Sequence, residues 1–412
     1  MPRLVQLRGG VLYCDTDGAV RPAQPADGAV RPAHADGAVR PMQPAPVAQC
    51  DAGAPRRVLV VGCGVAGCAA AAALRDCLGA RLELRMVDAA AEAGGSLRSA
   101  RGANVGAIAV SFDGADAAAA GALLRVAALC DLRHVDDGLR SYGALSRTDE
   151  RPQGWNASTG QWEHFEALPT NRALVDRLLA RAAPESLEFG RRVDRVDRAP
   201  NGWTVDAMFF DGLVLAVPPG EATRLVGHLL EATRFSALAR EAAAAVVSRR
   251  ARVIQLRPDL AAKLGACFGG PGAARSSGGK CSRITNTGER EVELERGILI
   301  SRRNADDVVF VVHAASRACD DVDAGLARRL GVGRDALRAA MTQGEAVDLE
   351  QRRQPGAFVD DHAGADGAAA FFDDPPLALC SDWVARGGTV DRALVSAFDG
   401  AARLAAALLR TP

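Results

Sequence analysis

Three glycines in the segment Gly62-Cys63-Gly64-Val65-Ala66-Gly67 are the residues whose type and spacing point most directly to chemistry. The segment follows a run of β-branched and leucine residues at 58–61, and it opens an alanine-rich stretch that predicts a helix. In this context Gly62 permits a tight turn, Gly64 lets backbone approach a pyrophosphate, and Gly67 lets the helix pack on the strand. Because the N–H groups at the start of the helix face the phosphates, the segment predicts a dinucleotide site rather than an ordinary glycine-rich turn.

A second strand-like run at residues 82–87 ends in Asp88, an acidic residue about 20 positions beyond the glycine motif. A carboxylate at that distance is expected to accept hydrogen bonds from the ribose diol of the nucleotide. The glycine motif alone would be weak evidence, but together with both strands, the helix and this acid it predicts a complete β-α-β unit.

A second glycine-containing loop follows this unit. Gly94, Gly95 and Ser96 are expected to place backbone N–H groups near the cofactor, and Arg98 supplies a charge that would neutralise a phosphate. The alternative is a solvent loop that contains two adjacent glycines by chance.

A third patch of small residues lies at 102–108 and contains Gly106 and Ala107. We expect it to return to the same neighbourhood and to complete the cofactor site.

The composition is that of a soluble globular protein without an unusual charge. The 412 residues have a formal net charge of +0, with 24% charged and 48% hydrophobic residues. This balance argues against nucleic acid and membrane surfaces as partners, and no apolar run approaches the roughly 18 residues of a membrane span. The length is sufficient for two or three domains, and we expect a small molecule as substrate.

The 10 cysteines include no C-x-x-C pair. Cys63 and Cys68 would be either a redox pair or small buried residues, and their spacing favours the second reading. Scattered free thiols fit a reducing compartment, so we expect a cytoplasmic protein, with organelle targeting by residues 1–54 as the alternative.

The histidines show no metal-ligand spacing, and we predict no metal.

Residues 1–54 differ from the rest of the chain. The hexapeptide Asp-Gly-Ala-Val-Arg-Pro begins at Asp17, Asp27 and Asp36. Units this short and this rich in proline and glycine do not build a solenoid, so we expect a disordered low-complexity segment.

The order of glycine motif, acidic strand end, Gly-Gly loop and Gly-Ala patch resembles the FAD-dependent amine oxidase superfamily. Three later segments resemble its renalase branch in particular, and the resemblance covers about residues 56–412. They are an apolar strand that ends in proline (210–218), a strand that carries a histidine (308–314), and residues 379–383 followed by 389–391 and a helix.

This resemblance implies an α/β fold with a Rossmann-like FAD-binding domain of the glutathione-reductase/p-hydroxybenzoate-hydroxylase type and an inserted α+β substrate domain. We expect the FAD-binding domain to comprise residues 55–112, 166–220 and 376–412. The substrate domain would comprise residues 113–165 and 221–375.

The resemblance also extends the list of candidate site residues. Val193 is similar to the residue whose backbone contacts the adenine, and Asp382 and the helix near Val390 would face the ribityl chain and the pyrimidine edge of the flavin. His313 is the candidate substrate contact in the catalytic site. The expected cofactor-binding residues are Gly62, Gly64, Val65, Ala66, Gly67, Asp88, Gly94, Gly95, Ser96, Arg98, Gly106, Ala107, Val193, Pro218, Asp382 and Val390.

The chain departs from the family pattern at several positions. Ser96 stands where the family usually has arginine, Ile108 and Ala109 stand where it often has glutamine and an aromatic residue, and Ser381 replaces a glycine. Residues 351–353 lack the tryptophan that renalases tend to place before a basic pair. These changes bear on the substrate pocket more than on FAD binding.

The renalase resemblance implies oxidation of a reduced nicotinamide nucleotide: hydride passes from a dihydronicotinamide isomer to FAD, and oxygen is then reduced to hydrogen peroxide. A lysine that holds a water beside the flavin, as in many amine oxidases, is disfavoured because Lys263 and Lys280 are the only lysines. The alternatives are a flavin amine oxidase or desaturase-like enzyme on another small substrate, and a degenerate flavoprotein without catalysis.

Overall fold

A computed structural model of the chain describes residues 3–7, 10–14, 19–22, 55–100, 103–104, 110–113, 116–134, 162–230, 234–244, 249–255, 259, 291–295, 298–302, 309–315, 327, 331–340, 347–349, 370–385 and 389–410.

The strands in chain order are β1 (Arg3–Leu7), β2 (Gly10–Cys14), β3 (Ala19–Pro22), β4 (Arg56–Val61), β5 (Leu82–Asp88), β6 (Ser99–Ala100), β7 (Ala103–Asn104), β8 (Val110–Asp113), β9 (Leu132–His134), β10 (Trp162–Ala167), β11 (Ser186–Phe189), β12 (Val196–Ala199), β13 (Gly202–Val205), β14 (Met208–Phe210), β15 (Gly212–Leu215), β16 (Arg249–Gln255), β17 (Glu291–Glu295), β18 (Ile298–Arg302), β19 (Val309–Ala315), β20 (Val347–Leu349), β21 (Phe371–Asp373) and β22 (Pro376–Leu379). The helices are α1 (Val65–Leu78), α2 (Ala117–Ala127), α3 (Arg172–Ala182), α4 (Pro219–Leu230), α5 (Arg234–Ala244), α6 (Arg334–Ala340) and α7 (Val390–Arg410).

The central sheet has the strand order β11-β5-β4-β15-β22-β21. Its first five strands run parallel, and β21 pairs antiparallel with β22 at the edge. Strands β4, β15 and β22 are short apolar runs whose residues are mostly buried, which is the pattern of a parallel sheet covered on both faces. This arrangement is a doubly wound α/β architecture, so the predicted Rossmann-like α/β fold is confirmed.

Alternation along β4 divides the core between the two faces of this sheet. Val58 and Val60 belong to a buried cluster with α1, α3 and α7, whereas Leu59 and Val61 belong to a cluster with α4, α5 and the meander of β12, β13 and β14. Because successive side chains of a strand point to opposite faces, one short apolar run supplies both halves of the core.

Helices α1 and α3 are tied at their C-terminal ends by Arg75. Its guanidinium donates to the carbonyl oxygens of Ala182, Gly79 and Leu82, each at 3.0 Å, and it pairs with Glu185 at 2.8 Å. These contacts hold the C-terminal end of α3 against that of α1.

An antiparallel sheet of order β1-β2-β3-β9-β10-β8 corrects the prediction of disorder for the described part of residues 1–54, namely 3–7, 10–14 and 19–22. Strands β1, β2 and β3 form within this segment, and β3 pairs with β9 through Ala19 with Arg133 and Val20 with Leu132. Residues 19–22 of the first hexapeptide repeat form β3, whose backbone pairs with β2 on one side and β9 on the other. Residues 23–54, which hold the other two repeats, lie outside the described residues.

A second antiparallel sheet of order β17-β18-β19-β16-β20 comes from the segment predicted as the substrate domain. The assignment of residues to two domains stays a prediction. Within the described part of the chain, no helix has the length and apolar character needed to cross a membrane.

Candidate dinucleotide-binding site

Four predicted site residues lie at the carboxyl ends of four adjacent parallel strands. One residue of each strand lies in the same paired row, namely Val87, Val61, Leu215 and Leu379. Asp88 and Gly62 directly follow this row, and Pro218 and Asp382 follow it a few residues later. Residues far apart in sequence are thus brought to one sheet edge across three inter-strand spacings, or about 14 Å. This is the edge at which doubly wound sheets bind ligands.

The turn after β4 requires its glycines for steric reasons. Gly62 has φ +100, and a Cβ there would lie 2.2 Å from the carbonyl oxygen of Ala216. A Cβ at Gly67 would lie 1.8 Å from the carbonyl oxygen of Gly62. Both contacts are impossible, so the glycines allow α1 to begin directly against β15, with its N-terminal amides at the sheet edge.

The Asp88 carboxylate is fixed at this turn by two backbone amides. Its Oδ2 accepts from the amide of Cys63 at 2.6 Å, and its Oδ1 accepts from the amide of Ala90 at 2.7 Å. Each carboxylate oxygen has a further lone pair, so the group is suited to accept hydrogen bonds from a ribose diol as well.

The Gly-Gly loop lies directly beside the glycine turn. Gly94 forms a parallel bridge with Gly64, and its amide donates to the carbonyl oxygen of Cys63 at 2.9 Å. Gly94 and Gly95 have φ +130 and +55, and a Cβ at Gly95 would lie 3.1 Å from the Cα of Gly64. The two loops form a backbone cradle, which we call the glycine cradle (residues 62–67 and 94–95). Side chains would fill it, so it suits close approach by a diphosphate.

Two buried polar atoms near the ends of the predicted site support the fit of a polar ligand. Nε of Arg98, three residues beyond Gly95, is buried and has no hydrogen-bond partner among the described residues. The same holds for Oγ1 of Thr389, which directly precedes α7. Buried donors without partners are costly, and an anion or a hydroxyl-rich ligand would satisfy them.

The segment around Asp382 is held against the end of β15. Oδ1 of Asp382 accepts from Oγ of Ser381 at 2.8 Å and from the amide of Trp383 at 2.9 Å. The buried indole of Trp383 donates to the carbonyl oxygen of Val217 at 2.9 Å, and Oγ of Ser396 on α7 donates to the carbonyl oxygen of Ser381 at 2.8 Å. Asp382 and the N-terminus of α7 therefore share the sheet edge with Pro218.

The N-terminus of α7 is anchored to α2, a contact that the sequence did not reveal. Arg392 in its first turn pairs with Asp116, whose Oδ1 also caps α2 by accepting from the amides of Ala118 and Ala119 at 2.8 and 3.3 Å. Burial alone would raise the pKa of Asp116, but the hydrogen bonds from Arg392 and from these amides outweigh it and hold the pKa below its ordinary value.

Val193 lies near Arg224, a second contact that the sequence did not reveal. Val193 is buried, and Arg224 on α4 donates to its carbonyl oxygen at 2.6 Å and to that of Asp194 at 3.1 Å. Arg224 is itself held by Glu221 at 2.9 Å. The carbonyl of Val193 is thus engaged by the protein, so an adenine contact would use its remaining lone pair or its N–H group.

The thiols of Cys63 in the glycine cradle and of Cys68 directly beyond it are buried, and burial favours their neutral form. Burial, followed by the nearby charges of Cys68 and Asp88, raises the pKa of the Cys63 thiol far above its ordinary value. Burial likewise raises the pKa of Cys68 to about 12. Because the thiolate is the reactive form, these residues act as small packing residues rather than as a redox pair.

A buried polar network connects β7 to the start of α3. Nδ2 of Asn104 donates to Oε1 of Glu166 at 3.1 Å, and its Oδ1 accepts from the amide of Asn171 at 2.7 Å. Oδ1 of Asn171 in turn accepts from the amide of Ala167 at 2.9 Å. The network places β7 beside the start of α3.

Several predicted residues lie elsewhere or outside the described residues. His313 lies on β19, where it pairs with Ala251 and Leu299 in the five-stranded sheet. The predicted residues outside the described part of the chain are Gly106, Ala107, Ile108, Ala109, Lys263, Lys280 and the segment 351–353. Among the described residues, no group of three or more His, Cys, Asp or Glu side chains is arranged to hold a metal ion.

Comparison with known proteins bears on the fold. No family model matches the chain, and no curated protein sequence matches it. Its structure is similar to that of cyclohexylamine oxidase from Brevibacterium oxydans IH-35A, with a TM-score of 0.53, 14% identity and coverage of 86% of this chain and 100% of that one. It is also similar to a redesigned putrescine oxidase, with a TM-score of 0.50, 15% identity and coverage of 86% and 99%. The chain therefore has the fold of these two oxidases over nearly their whole length.

Proposed function

We propose that this chain is an FAD-dependent oxidoreductase. The main observation in support is that four residues lie along one edge of the central sheet. Gly62 and Asp88 lie at one side of this edge, and Pro218 and Asp382 lie at the other. A site for the ADP half alone would need only the first β-α-β unit. The return of a distant segment to the same edge supports a longer cofactor, and the amine oxidase resemblance of the sequence identifies that cofactor as FAD.

Each part of the edge has a proposed role in holding the cofactor. The N-terminal amides of α1 and the glycine cradle would bind the diphosphate, and Arg98 would place its buried guanidinium nitrogen on it. Asp88 would accept the ribose hydroxyls, and the backbone of Val193 would contact the adenine.

At the other side, Asp382 would hold the ribityl chain, and the N-terminus of α7 at Val390 would face the pyrimidine edge. When bound, FAD supplies two-electron chemistry in which a hydride is taken from a donor and oxygen is reduced to peroxide.

The preferred donor is a dihydronicotinamide isomer. Loss of a hydride turns this donor into an aromatic cation, and no proton has to be removed by the protein. The chain then needs only to orient the donor, a task in which His313 would hydrogen-bond the amide or a hydroxyl. This is the reaction that the renalase resemblance of residues 210–218, 308–314 and 379–391 implies.

A second candidate function is amine oxidation. The two similar structures are named for cyclohexylamine and putrescine, and their fold makes an amine the specific alternative. An amine donor must lose a proton, so this function needs a base or a positioned water in the substrate pocket.

An anaerobic reduction screen separates the candidates. The purified protein should show flavin absorbance, which should bleach rapidly with dihydronicotinamide isomers and slowly or not at all with cyclohexylamine and putrescine. Readmission of air should restore the colour and release peroxide. Bleaching by the amines alone would assign amine oxidation, and bleaching by neither class would assign a degenerate flavoprotein.

Paired variants test the cofactor site itself. Asp382→Asn should lower the flavin content, because the carboxylate would face the cofactor. Asp373→Asn is the matched control, since Asp373 ends β21 in the hairpin that leads to Asp382 but pairs with Arg410 at the exposed surface. A colourless wild-type protein that binds no added FAD would refute every flavoenzyme reading.

A further inference from the structure

We propose that Arg172 is a positioning residue that holds the Gly-Gly loop (residues 94–95) against the glycine turn after β4, with Glu92 and Asp176 fixing its guanidinium. The inference rests on the proposed function in one respect, namely that the cradle receives the diphosphate of FAD. The inferred residue lies at the N-terminus of α3, far in sequence from the glycine motif. Arg172 would act on the cofactor through the Gly-Gly loop.

The guanidinium bridges the loop and the helix. Nη1 of Arg172 lies 3.2 Å from Oε2 of Glu92, which begins the loop, and Nε lies 2.8 Å from Oδ1 of Asp176, one turn further along α3. The side chain of Arg172 is 21% exposed, whereas those of Glu92 and Asp176 are 57% and 55% exposed. The arginine is therefore enclosed between the two elements, and the acids hold it from the solvent side.

The same side chain lies directly against the first glycine of the loop. A Cβ built on Gly94 would lie 3.3 Å from Nη1 of Arg172 and 3.6 Å from its Cδ. Gly94 is the residue that forms the bridge with Gly64 and donates its amide to Cys63. Arg172 thus supports, from the helix side, the residue through which the two glycine loops are joined.

The positive charge of Arg172 reaches the start of α1. Burial is the main reason why the pKa of the Cys68 thiol is raised; the charges of Asp88 and Asp176 raise it further, and the charge of Arg172 lowers it.

Two other anchors of α3 explain why Arg172 is held in place. Arg75 ties the C-terminal ends of α1 and α3, and Asn171, the preceding residue, donates its amide to the buried Asn104. The helix is fixed at both ends, so its first side chain forms a rigid support for the loop.

The test compares Arg172→Gln with Arg181→Gln. Arg181 is the matched control because it also lies on α3 and pairs with an acid at 2.6 Å. It lies in the last turn of the helix, however, and its partner Asp76 is on α1 rather than in the loop. Each apoprotein is titrated with FAD by fluorescence quenching, and amide hydrogen exchange is followed at Gly94 and Leu97, whose N–H groups bond within the cradle.

We expect Arg172→Gln to weaken FAD binding about tenfold, the size of effect typical when a supporting contact of a ligand site is lost. Exchange at Gly94 and Leu97 should become faster in the apoprotein, and Arg181→Gln should change neither quantity. Glu92→Gln, a change at an exposed side chain, should reproduce both effects in weaker form, and it serves if Arg172→Gln does not fold.

The exchange measurement keeps this inference separable from the proposed function. If the wild type binds no FAD, the proposed function fails, while faster exchange in Arg172→Gln would still support the loop contact. Equal exchange in Arg172→Gln and Arg181→Gln would overturn the inference. If Arg172→Gln exchanges faster but binds FAD as tightly as the wild type, the loop contact stands and the positioning role toward the cofactor is overturned.

Discussion

The amide of Cys63 donates a hydrogen bond of 2.6 Å to Oδ2 of Asp88, and this bond joins the glycine turn to the end of β5. Oδ1 of the same carboxylate accepts from the amide of Ala90 at 2.7 Å. The residue proposed to hold the ribose is therefore also the residue that orders the turn. Its position is set by backbone on both sides, which leaves little freedom in where a bound ribose would lie.

Asp88→Asn should weaken FAD binding by tenfold or more, on the order of the loss expected for charge-assisted hydrogen bonds. The amide has one acceptor oxygen, so it cannot serve both backbone amides and the ribose diol. FAD titration of the apoprotein measures the effect. The control is Asp211→Asn, because Asp211 accepts from the amide of Arg57 at 2.7 Å at the opposite end of β4. Equal loss in both variants would indicate a general effect on the sheet.

Gly67→Ala should prevent α1 from packing on β4 and should abolish FAD binding. The new Cβ would lie 1.8 Å from the carbonyl oxygen of Gly62, which is backbone and has no room to move. Gly121→Ala on α2 is the contrasting helix variant, since a Cβ there meets nothing within 4 Å. It should stabilise the fold by about 0.5–1 kcal/mol. Thermal unfolding and flavin content of both proteins check the pair, and retained flavin in Gly67→Ala would contradict the described turn.

Asp116→Asn should lower stability at pH 7 by about 1 kcal/mol, because asparagine keeps the helix cap but loses the ion pair with Arg392. Asp116→Ala should cost about 1 kcal/mol more, because the cap is lost too. The pKa of Asp116 is held below its ordinary value by the bonds from Arg392, Ala118 and Ala119, which outweigh the effect of burial.

The sign of the pH dependence at Asp116 follows from this lowered pKa. Its contribution is present above the ordinary aspartate pKa of about 3.9 and is lost as the pH falls through the lower value in the folded protein. Urea unfolding of the apoprotein at pH 7 and in the acid range should therefore give a smaller difference between Asp116→Asn and wild type at acid pH. A constant difference would assign the effect to packing.

Cys63 and Cys68 should resist alkylation in the folded protein at pH 8. Burial raises the pKa of Cys68 to about 12 and that of Cys63 further, so both remain protonated at this pH. Peptide mass spectrometry after a timed pulse of iodoacetamide should find Cys77, which is only partly buried, labelled before either of them. In urea all three should react at similar rates, and early labelling of Cys68 would contradict the buried position.

The glycine motif, Asp88 and the doubly wound fold were predictable because their signals are local. A strand, a turn that excludes side chains and a helix follow one another without interruption in residues 58–78, and each step has its own residue preference. The return of Asp382 was predictable only from the resemblance of its segment to a known family. Nothing in the residues around Asp382 indicates that β22 pairs with β15.

The N-terminal segment shows where composition misleads. The repeats suggested disorder for residues 1–54, yet β1, β2 and β3 form in its first part. A proline-containing strand such as β3 has little stability alone, and it acquires partners only when β2 and β9 lie on either side of it.

The sequence by itself determined the glycine cradle. A turn that has positive φ and no room for a Cβ accepts only glycine, so the spacing of the glycines predicts where such a turn forms. The tertiary structure decided which charged side chains surround it. Arg172, Arg224 and Arg392 carry no motif, and each reaches its place through a helix packed from elsewhere in the chain. Steric requirements of a turn are written into neighbouring residues, whereas the partner of a long flexible cation is set by the packing of the whole fold.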